Sequence, residues 1–276
     1  MCLYTEFLAQ KFKSPGSVKN YISGVRLLHK LLQLDDSGVT SFDLNLMLRA
    51  VSLTLRHFPK RKLPITIDML KKICVTCQVL GPIGKVLKCA FIIAFFGMLR
   101  QSNLAPHTPF DFDYSRHTCR GDIIVQPPHL FLLIKWSKTL QTPQGLPLIP
   151  LPHLPGHVLD PLSAFQDMIS VAPHRTPNDP LLLLPQQGPH ATPRILTVPI
   201  LRGCFTDIIS SLGYDATRHS LHGLRRGGAS AAHSAGVPAT DIKRHGTWKS
   251  DAFWDYIVTN DIYDSNVNSG FQSLCS

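Results

Sequence analysis

Apolar and polar positions near the start of the chain repeat with the period of amphipathic helices. Over residues 17–34 one stripe of apolar side chains lies apart from the lysines and arginines, and it comprises Tyr21, Val25, Leu28 and Leu32. Ser17 is a suitable N-cap for this helix, and a second helix is predicted over residues 42–56. We therefore predict a small N-terminal helical domain over residues 1–58.

A proline-flanked basic segment follows this domain. The sequence HFPKRKLP places Lys60, Arg61 and Lys62 between two prolines, which is typical of a linker, and we predict the linker over residues 59–64. The three basic side chains are candidates for contacts with a DNA backbone or for a nuclear address. The alternative is that they are simply the solvated side chains of a linker.

Beyond the linker the pattern predicts helices interrupted by one β-hairpin. A helix over residues 67–80 precedes residues 86–99, an apolar segment shorter than the about 20 residues of a membrane span, which we interpret as a buried helix. The period then changes, and residues 129–136 and 145–151 predict the two strands of the hairpin. Later helices are predicted over residues 161–169 with Asp160 as cap, 198–212, 222–234, 238–244 and 250–258.

These elements together predict a mainly α protein of the α+β class. A mixed helical domain that carries the hairpin is predicted over residues 65–260, followed by a C-terminal tail over residues 261–276. The chain has 276 residues, of which 44 % are apolar, and this is enough to build a hydrophobic core.

The charge of the chain is strongly positive. It has 28 Lys and Arg against 18 Asp and Glu, for a formal net charge of +10. Such an excess favours a polyanionic partner, DNA or RNA rather than a membrane, although solubility alone would also explain it.

The seven cysteines are odd in number and scattered, which argues against a disulfide framework and favours a reducing compartment. Cys74 and Cys77 form a CxxC pair, but no second pair follows at the spacing of a zinc finger. Because they lie one turn apart in a predicted helix, we interpret them as core residues, and we expect no metal.

Four short segments carry residue types that suit chemistry on a phosphate. Each by itself has a plainer interpretation, as a solvated basic helix or as aromatic core residues. In the third segment the histidine and the first arginine share a helix face, and the glycines that follow would let another backbone approach closely. The segments are GMLRQSNL with Arg100, KWSKT with Lys138, HGLRRGGAS with His222 and Arg225, and GTWKSDAFWDYI with Trp248 and Tyr256.

The order of these segments resembles the tyrosine recombinase family of site-specific DNA recombinases and integrases. The SKT hairpin, the RRGG after the histidine and the GxWKSDAF…YI ending are most similar to the recombinases of eukaryotic retrotransposon and crypton elements, over residues 15–260. The resemblance implies a DNA breaking-rejoining enzyme core and double-stranded DNA as the partner. It also implies a homo-oligomer, dimer to tetramer, on that DNA, no cofactor and, in a eukaryote, a nuclear location.

The resemblance implies that Tyr256 is the nucleophile, which forms a 3′-phosphotyrosine intermediate, and that Lys138 is the general acid for the leaving 5′ oxygen. Lys135 is the alternative general acid. A free tyrosine has a pKa of about 10, so ionising it at pH 7 costs about 4 kcal/mol, which the site must offset. Because the phosphotyrosine link preserves the bond energy, neither ATP nor a metal is required.

Arg100 and Arg225 are implied to bind the scissile phosphate, and His222 and Trp248 to contact it. Arginine presents a planar fork that holds two phosphate oxygens, and an indole N–H can only donate, which suits an anion. His222 would accept the phenolic proton or hold the phosphate while the proton leaves through water. Further candidates for DNA backbone contacts are Lys60, Arg61, Lys62, Arg226 and Lys249.

Two departures from the family pattern support alternative hypotheses. Thr247 stands where relatives often carry a basic residue or glycine, so we expect fewer phosphate contacts there. The predicted domain over residues 1–58 is shorter than the usual four-helix DNA-binding domain, which leaves open a catalytically silent DNA-binding remnant of a mobile-element recombinase. A type IB topoisomerase, which shares much of this chemistry, is the third hypothesis.

Overall fold

The computed structural model divides the chain into two compact units, Met1–Arg61 and Lys62–Ser276. The residues that it describes are 1–55, 62–136, 147–173, 176–186, 188, 193–248, 250, 253, 254 and 257. Among these residues, no helix combines the length and the apolar character needed to cross a membrane.

The first unit is helical. Its helices are α1 (Cys2–Lys11), α2 (Pro15–Leu31), α3 (Ser37–Thr40) and α4 (Phe42–Thr54). Ser41 caps α4, because its hydroxyl accepts a hydrogen bond from the backbone N–H of Leu44. Apolar side chains of α1, α2 and α4 form one small core, made of Leu8, Val18, Ile22, Leu44, Leu48 and Val51.

The predicted apolar stripe of α2 is wrong. The residues of α2 that are buried are Val18 and Ile22. Tyr21, Leu28 and Leu32, three members of the predicted stripe, are each more than half exposed. Apolar residues occur on several faces of α2, so periodicity alone does not show which face meets the core, and a unit this small buries only one of them.

The second unit is built around one buried helix, α6. The helices of this unit are α5 (Ile67–Gln78), α6 (Gly81–Phe96), α7 (Gln101–Leu104), α8 (Pro161–Val171), α9 (Val198–Ser211), α10 (His222–Ser234) and α11 (Ala239–His245). Nearly every residue of α6 after Gly84 is buried, and the helix contacts α5, α8 and α10. This burial explains its apolar sequence, and each fully buried phenylalanine, such as Phe91, stabilises the fold by about 1.5–3 kcal/mol.

In the part of the second unit that the structure describes, three short antiparallel strands complete the fold, in the spatial order β1 (Ile123–Gln126), β2 (His129–Leu133) and β3 (Leu148–Leu151). Leu132 pairs with Ile123 on one side and with Ile149 on the other, and all three are buried in the core. Strands β2 and β3 confirm the two predicted strands in shorter form, whereas β1 is too short to show a clear alternation. The mainly α, α+β composition is confirmed.

Several local predictions are also confirmed. Helix α10 spans the predicted residues 222–234, and Asp160 caps α8 by accepting a hydrogen bond of 2.9 Å from the Ser163 N–H. Cys74 and Cys77 are both completely buried in the core. Burial raises the pKa of the Cys74 thiol to about 12 and raises that of Cys77 as well, so both thiols are neutral.

Candidate active site

Segments far apart in the sequence meet beside the C-terminal end of α6. The chain leaves α6 at Phe96 and soon reaches Arg100, the N-cap of α7. Helix α10 begins at His222, and residues 246–248 follow the end of α11. The predicted phosphate-binding residues therefore lie in α10 and in the segments that follow the ends of α6 and α11.

Two glycines of α10 allow this meeting. A Cβ atom on Gly227 would lie only 1.9 Å from the carbonyl oxygen of Ile65, and one on Gly228 would lie 2.2 Å from the carbonyl oxygen of Phe95. Both separations are far shorter than a van der Waals contact, so only glycine fits at either position. The expectation that the RRGG sequence admits another backbone is confirmed, and α10 consequently lies directly against α6.

Arg225 joins the end of α6 to the end of α11. It is only 1 % exposed. Its Nη1 donates to the carbonyl oxygen of Met98, and its Nη2 donates to that of Gly246 at 2.7 Å. Its Cζ atom lies 3.9 Å from the centre of the Trp248 ring, a cation–π contact. The guanidinium is thus held in one orientation by the protein itself.

Gly246 makes room for the tryptophan. A Cβ atom at this position would lie 1.7 Å from the ring of Trp248, so any side chain would displace the indole. Trp248 is 8 % exposed and packs beside Phe253 in a small cluster with Met98 and Ala229. Glycine at position 246 is therefore required for Trp248 to pack in this corner of the fold.

Arg100 and His222 belong to the same cluster. Nη1 of Arg100 lies 3.5 Å from the hydroxyl oxygen of Thr247, the neighbour of Trp248. Burial lowers the pKa of His222, and the positive charges of Arg225, Arg226 and Arg100 lower it further. His222 is therefore neutral at pH 7, in a site whose cations favour the binding of an anion.

The structure thus brings together four of the six residues that were predicted to be catalytic: Arg100, His222, Arg225 and Trp248. The other two, Lys138 and Tyr256, lie outside the described residues, as do the candidate DNA contacts Lys60, Arg61 and Lys249. The roles of all these residues stay predictions.

Lys62 and Arg226, the other candidate DNA contacts, bond to backbone groups of the second unit. Nη1 of Arg226 donates to the carbonyl oxygen of Lys62, and Nζ of Lys62 donates to that of Thr217. Arg226 is 8 % exposed, whereas Lys62 is exposed. Both side chains therefore help to hold the start of the second unit beside α10.

Lys135, the alternative general acid, forms an ion pair inside the fold. Its Nζ lies 2.7 Å from a carboxylate oxygen of Asp122 and 3.2 Å from Sγ of Cys119. Burial by itself would lower the pKa of Lys135, but the hydrogen bonds to Asp122 and Cys119 outweigh it and raise the pKa. Lys135 is consequently a weaker proton donor than an ordinary lysine.

Asn103 is a buried polar residue that the sequence reasoning missed. Its side-chain Nδ2 donates to the carbonyl oxygen of Trp136 at 2.7 Å, and its own carbonyl oxygen accepts from the N–H of Thr118. It is 4 % exposed. This hydrogen bond ties Trp136, the residue before the serine of KWSKT, to α7. Helix α7 begins directly after Arg100. The sequence gives no signal for this role, because Asn103 follows two other polar residues, Gln101 and Ser102.

The first unit carries a basic groove that was also missed. Lys19, Arg26 and Arg49 line a groove of about 430 Å³ between α2 and α4, and no carboxylate is among its described lining residues. Arg26 is oriented by hydrogen bonds to the carbonyl oxygen of Val39 and to the side chain of Asn45. The seven-residue spacing of Lys19 and Arg26, which places both on one helix face, was the available signal.

Solved structures of other proteins have a similar fold. No protein-family model and no curated protein matches the chain. The Tn1549 transposon integrase, solved in complex with circular intermediate DNA, is 15 % identical over 97 % of this chain and 83 % of that chain, with a TM-score of 0.58. The XerH site-specific recombinase, bound to palindromic difH substrate in a post-cleavage complex, is 14 % identical over 92 % of this chain and 76 % of that chain, with a TM-score of 0.52.

At these identities the likeness concerns the fold. The mostly helical second unit with its small antiparallel sheet has the fold of the tyrosine recombinase catalytic domain, which confirms the predicted fold class.

Proposed function

We propose that the protein is a tyrosine recombinase that cleaves and rejoins DNA through a 3′-phosphotyrosine intermediate. The observation that carries this proposal is the meeting of Arg100, His222, Arg225 and Trp248, from distant segments, in a chain with this fold. Two guanidinium groups, an imidazole and an indole N–H can each donate a hydrogen bond to a phosphate oxygen.

The two arginines stabilise the charge that develops during cleavage. A phosphodiester repels nucleophiles, and its transition state gathers further negative charge on the non-bridging oxygens. Because Arg225 is buried and oriented by protein carbonyls, its charge is fixed in position before a phosphate binds. Two charge-assisted hydrogen bonds of about 1.5–3 kcal/mol each would offset the about 4 kcal/mol needed to ionise Tyr256.

His222 takes part in its neutral form. Burial and the neighbouring arginines hold its pKa below the usual value, so that at pH 7 the imidazole has a nitrogen lone pair. That nitrogen accepts the phenolic proton of Tyr256 as the oxygen attacks phosphorus, or hydrogen-bonds to the phosphate while water removes the proton.

Lys138 is the general acid in this proposal. Lys135 is paired with Asp122 and its pKa is raised, which makes it the poorer donor of a proton to the 5′ oxygen.

Double-stranded DNA is the proposed partner. The net charge of +10 and the basic groove of the first unit, with Lys19, Arg26 and Arg49, suit a polyanionic backbone. Integration or recombination joins two DNA sites, so we propose that the chain acts as a dimer to tetramer on DNA. The motif phrasing further leads us to propose an origin in a eukaryotic mobile element and a nuclear location.

The test uses a pool of nicked duplexes with randomised sequence around the nick. When cleavage occurs beside a nick, the short fragment diffuses away and the protein stays covalently attached to the DNA. We expect a protein–DNA adduct that resists denaturant, and we expect Tyr256→Phe to abolish it while DNA binding is unchanged. If the unchanged protein forms no adduct at any salt concentration, the proposal is wrong.

The basic groove favours one alternative function, DNA binding without cleavage by a remnant of a recombinase. Binding that weakens steeply with salt, together with no adduct from the same pool, would select this alternative.

A further inference from the structure

We infer that Thr247 is a positioning residue of the candidate active site, whose hydroxyl group orients Arg100 toward the phosphate. This inference rests on the proposed function. It concerns a residue at which the sequence alone led us to expect a weaker site.

The backbone of Thr247 adopts a conformation that favours glycine. Its N–H donates to the carbonyl oxygen of Arg244, and the N–H of Trp248 donates to that of Lys243, the hydrogen-bond pattern of a Schellman helix end. Its φ is +58°. A β-branched residue in the left-handed region is strained.

Helices α9 and α10 end in the same hydrogen-bond pattern, and there the equivalent residues are Gly213 and Gly236, with φ values of +78° and +79°. The end of α2 has this pattern as well, and there an unbranched residue, Gln33, adopts a φ of +52°. At the end of α11 the chain keeps a β-branched side chain, the type that is most strained in the left-handed region, which indicates that this side chain has a role there.

The surroundings of Thr247 identify that role. Its Oγ1 accepts a hydrogen bond from Nη1 of Arg100 at 3.5 Å. The carbonyl oxygen just before it, on Gly246, accepts from Arg225, and the ring just after it, on Trp248, packs on Arg225. Thr247 thus contacts one predicted phosphate-binding arginine, Arg100, and flanks two of the three groups that hold the other, Arg225.

The end of α6 also combines a residue of positive φ with a hydrogen bond to an arginine of the cluster. Met98 has a φ of +46° in a Schellman end, where its N–H donates to Phe95 and the N–H of Leu99 donates to Ala94. The carbonyl oxygen of Met98 is the second acceptor of Arg225. Both of these strained helix ends are therefore bonded to arginines of the cluster, so that each fixes the position of a cation.

Three substitutions separate the hydroxyl group from the backbone. Thr247→Val keeps the β-branched shape and removes only the hydroxyl, Thr247→Ser keeps the hydroxyl, and Thr247→Gly removes it while relieving the strain. The rate of adduct formation on nicked DNA is measured with protein in excess, beside DNA affinity. We expect Val and Gly to be about tenfold slower, Ser to stay within about twofold of the unchanged protein, and affinity to be unchanged.

A second substrate distinguishes positioning of Arg100 from a general structural effect. A methylphosphonate at the scissile position removes one negative charge, so the orientation of a cation matters less there. The tenfold loss in Thr247→Val should then shrink to about twofold. If Val reacts as fast as the unchanged protein, or if Val is equally slow on both substrates, the inference is wrong. If the unchanged protein forms no adduct on either substrate, the proposed function itself has failed.

Discussion

The two units hold their positive charges in opposite ways. In the second unit Arg225 is buried and bonded to two backbone carbonyls, with an indole ring against its face. In the first unit Lys19 and Arg49 are exposed beside an open groove. A buried cation costs free energy unless acceptors surround it, so its geometry is fixed before a ligand binds, whereas an exposed cation adapts and is screened by salt.

This difference predicts separate roles for the arginine cluster and the basic groove. The fixed cluster suits a reaction at one phosphorus atom, because a preorganised charge stabilises a transition state most effectively. The exposed groove suits attraction along a DNA backbone, where many weak interactions add together. Substitutions in the two regions should therefore affect different measurements.

The largest effect is expected from Arg225→Lys. A lysine has no planar fork and cannot bond to both Met98 and Gly246 in the same way. We expect the free energy of unfolding to fall by about 1.5–3 kcal/mol and adduct formation to slow by at least about 100-fold. Urea unfolding and the nicked-DNA reaction measure the two effects.

The matched control is Arg49→Lys in the exposed groove, which should change the free energy of unfolding by no more than about 0.5 kcal/mol. If Arg225→Lys and Arg49→Lys lowered the free energy of unfolding by the same small amount, burial would not distinguish the cluster from the groove.

Charge reversal in the groove should have an intermediate effect, confined to binding. In the double variant Lys19→Glu with Arg49→Glu, DNA affinity should depend less steeply on salt. The magnitude of the slope of log affinity against log salt should decrease by about 1 for each DNA phosphate that the groove no longer neutralises. Adduct formation with protein in excess should be unchanged. Lys11→Glu with Lys13→Glu reverses the same charge outside the groove and is the control. An equal loss of affinity in both double variants would assign binding to net charge rather than to the groove.

The smallest effect near neutral pH is expected from the titration of His222. Its folded pKa is lowered by burial and by the neighbouring arginines, so it is neutral above its usual value of 6.5 and gains a proton only at lower pH. Activity should therefore be constant between about pH 6.5 and pH 8 and fall by about tenfold per pH unit below the folded pKa. DNA binding through the groove should not follow this profile, since lysine and arginine do not titrate there.

The free energy of unfolding should change with pH in the same direction as the activity. Below pH 6.5 an unfolded histidine binds a proton that folded His222 does not, so its contribution is present above 6.5 and lost as the pH falls. Thermal melts of the unchanged protein and of His222→Gln between about pH 5 and pH 8 check this. An activity profile in His222→Gln that keeps the same acid limb would assign that limb to another group.

Local sequence signals predicted much of the fold. The limits of α10, the cap of α8 and the buried character of α6 follow from periodicity and from side chains within a turn of one another. The buried face of α2 could not be predicted this way, because several faces of that helix are apolar. Strand β1 could not be predicted either, because four residues show too little alternation.

The candidate site divides in the same way. The residue types that are present and their order can be read from the sequence alone, which also places His222 and Arg225 on one helix face. That Arg100 and Trp248 join them is visible only in the folded chain, because it depends on how closely α10 approaches α6 across Gly227 and Gly228. The strain at Thr247 is likewise a property of the fold, since the end of a helix and the position of a distant arginine set its conformation. Neighbours in sequence fix local geometry, but packing across the core fixes which side chains meet.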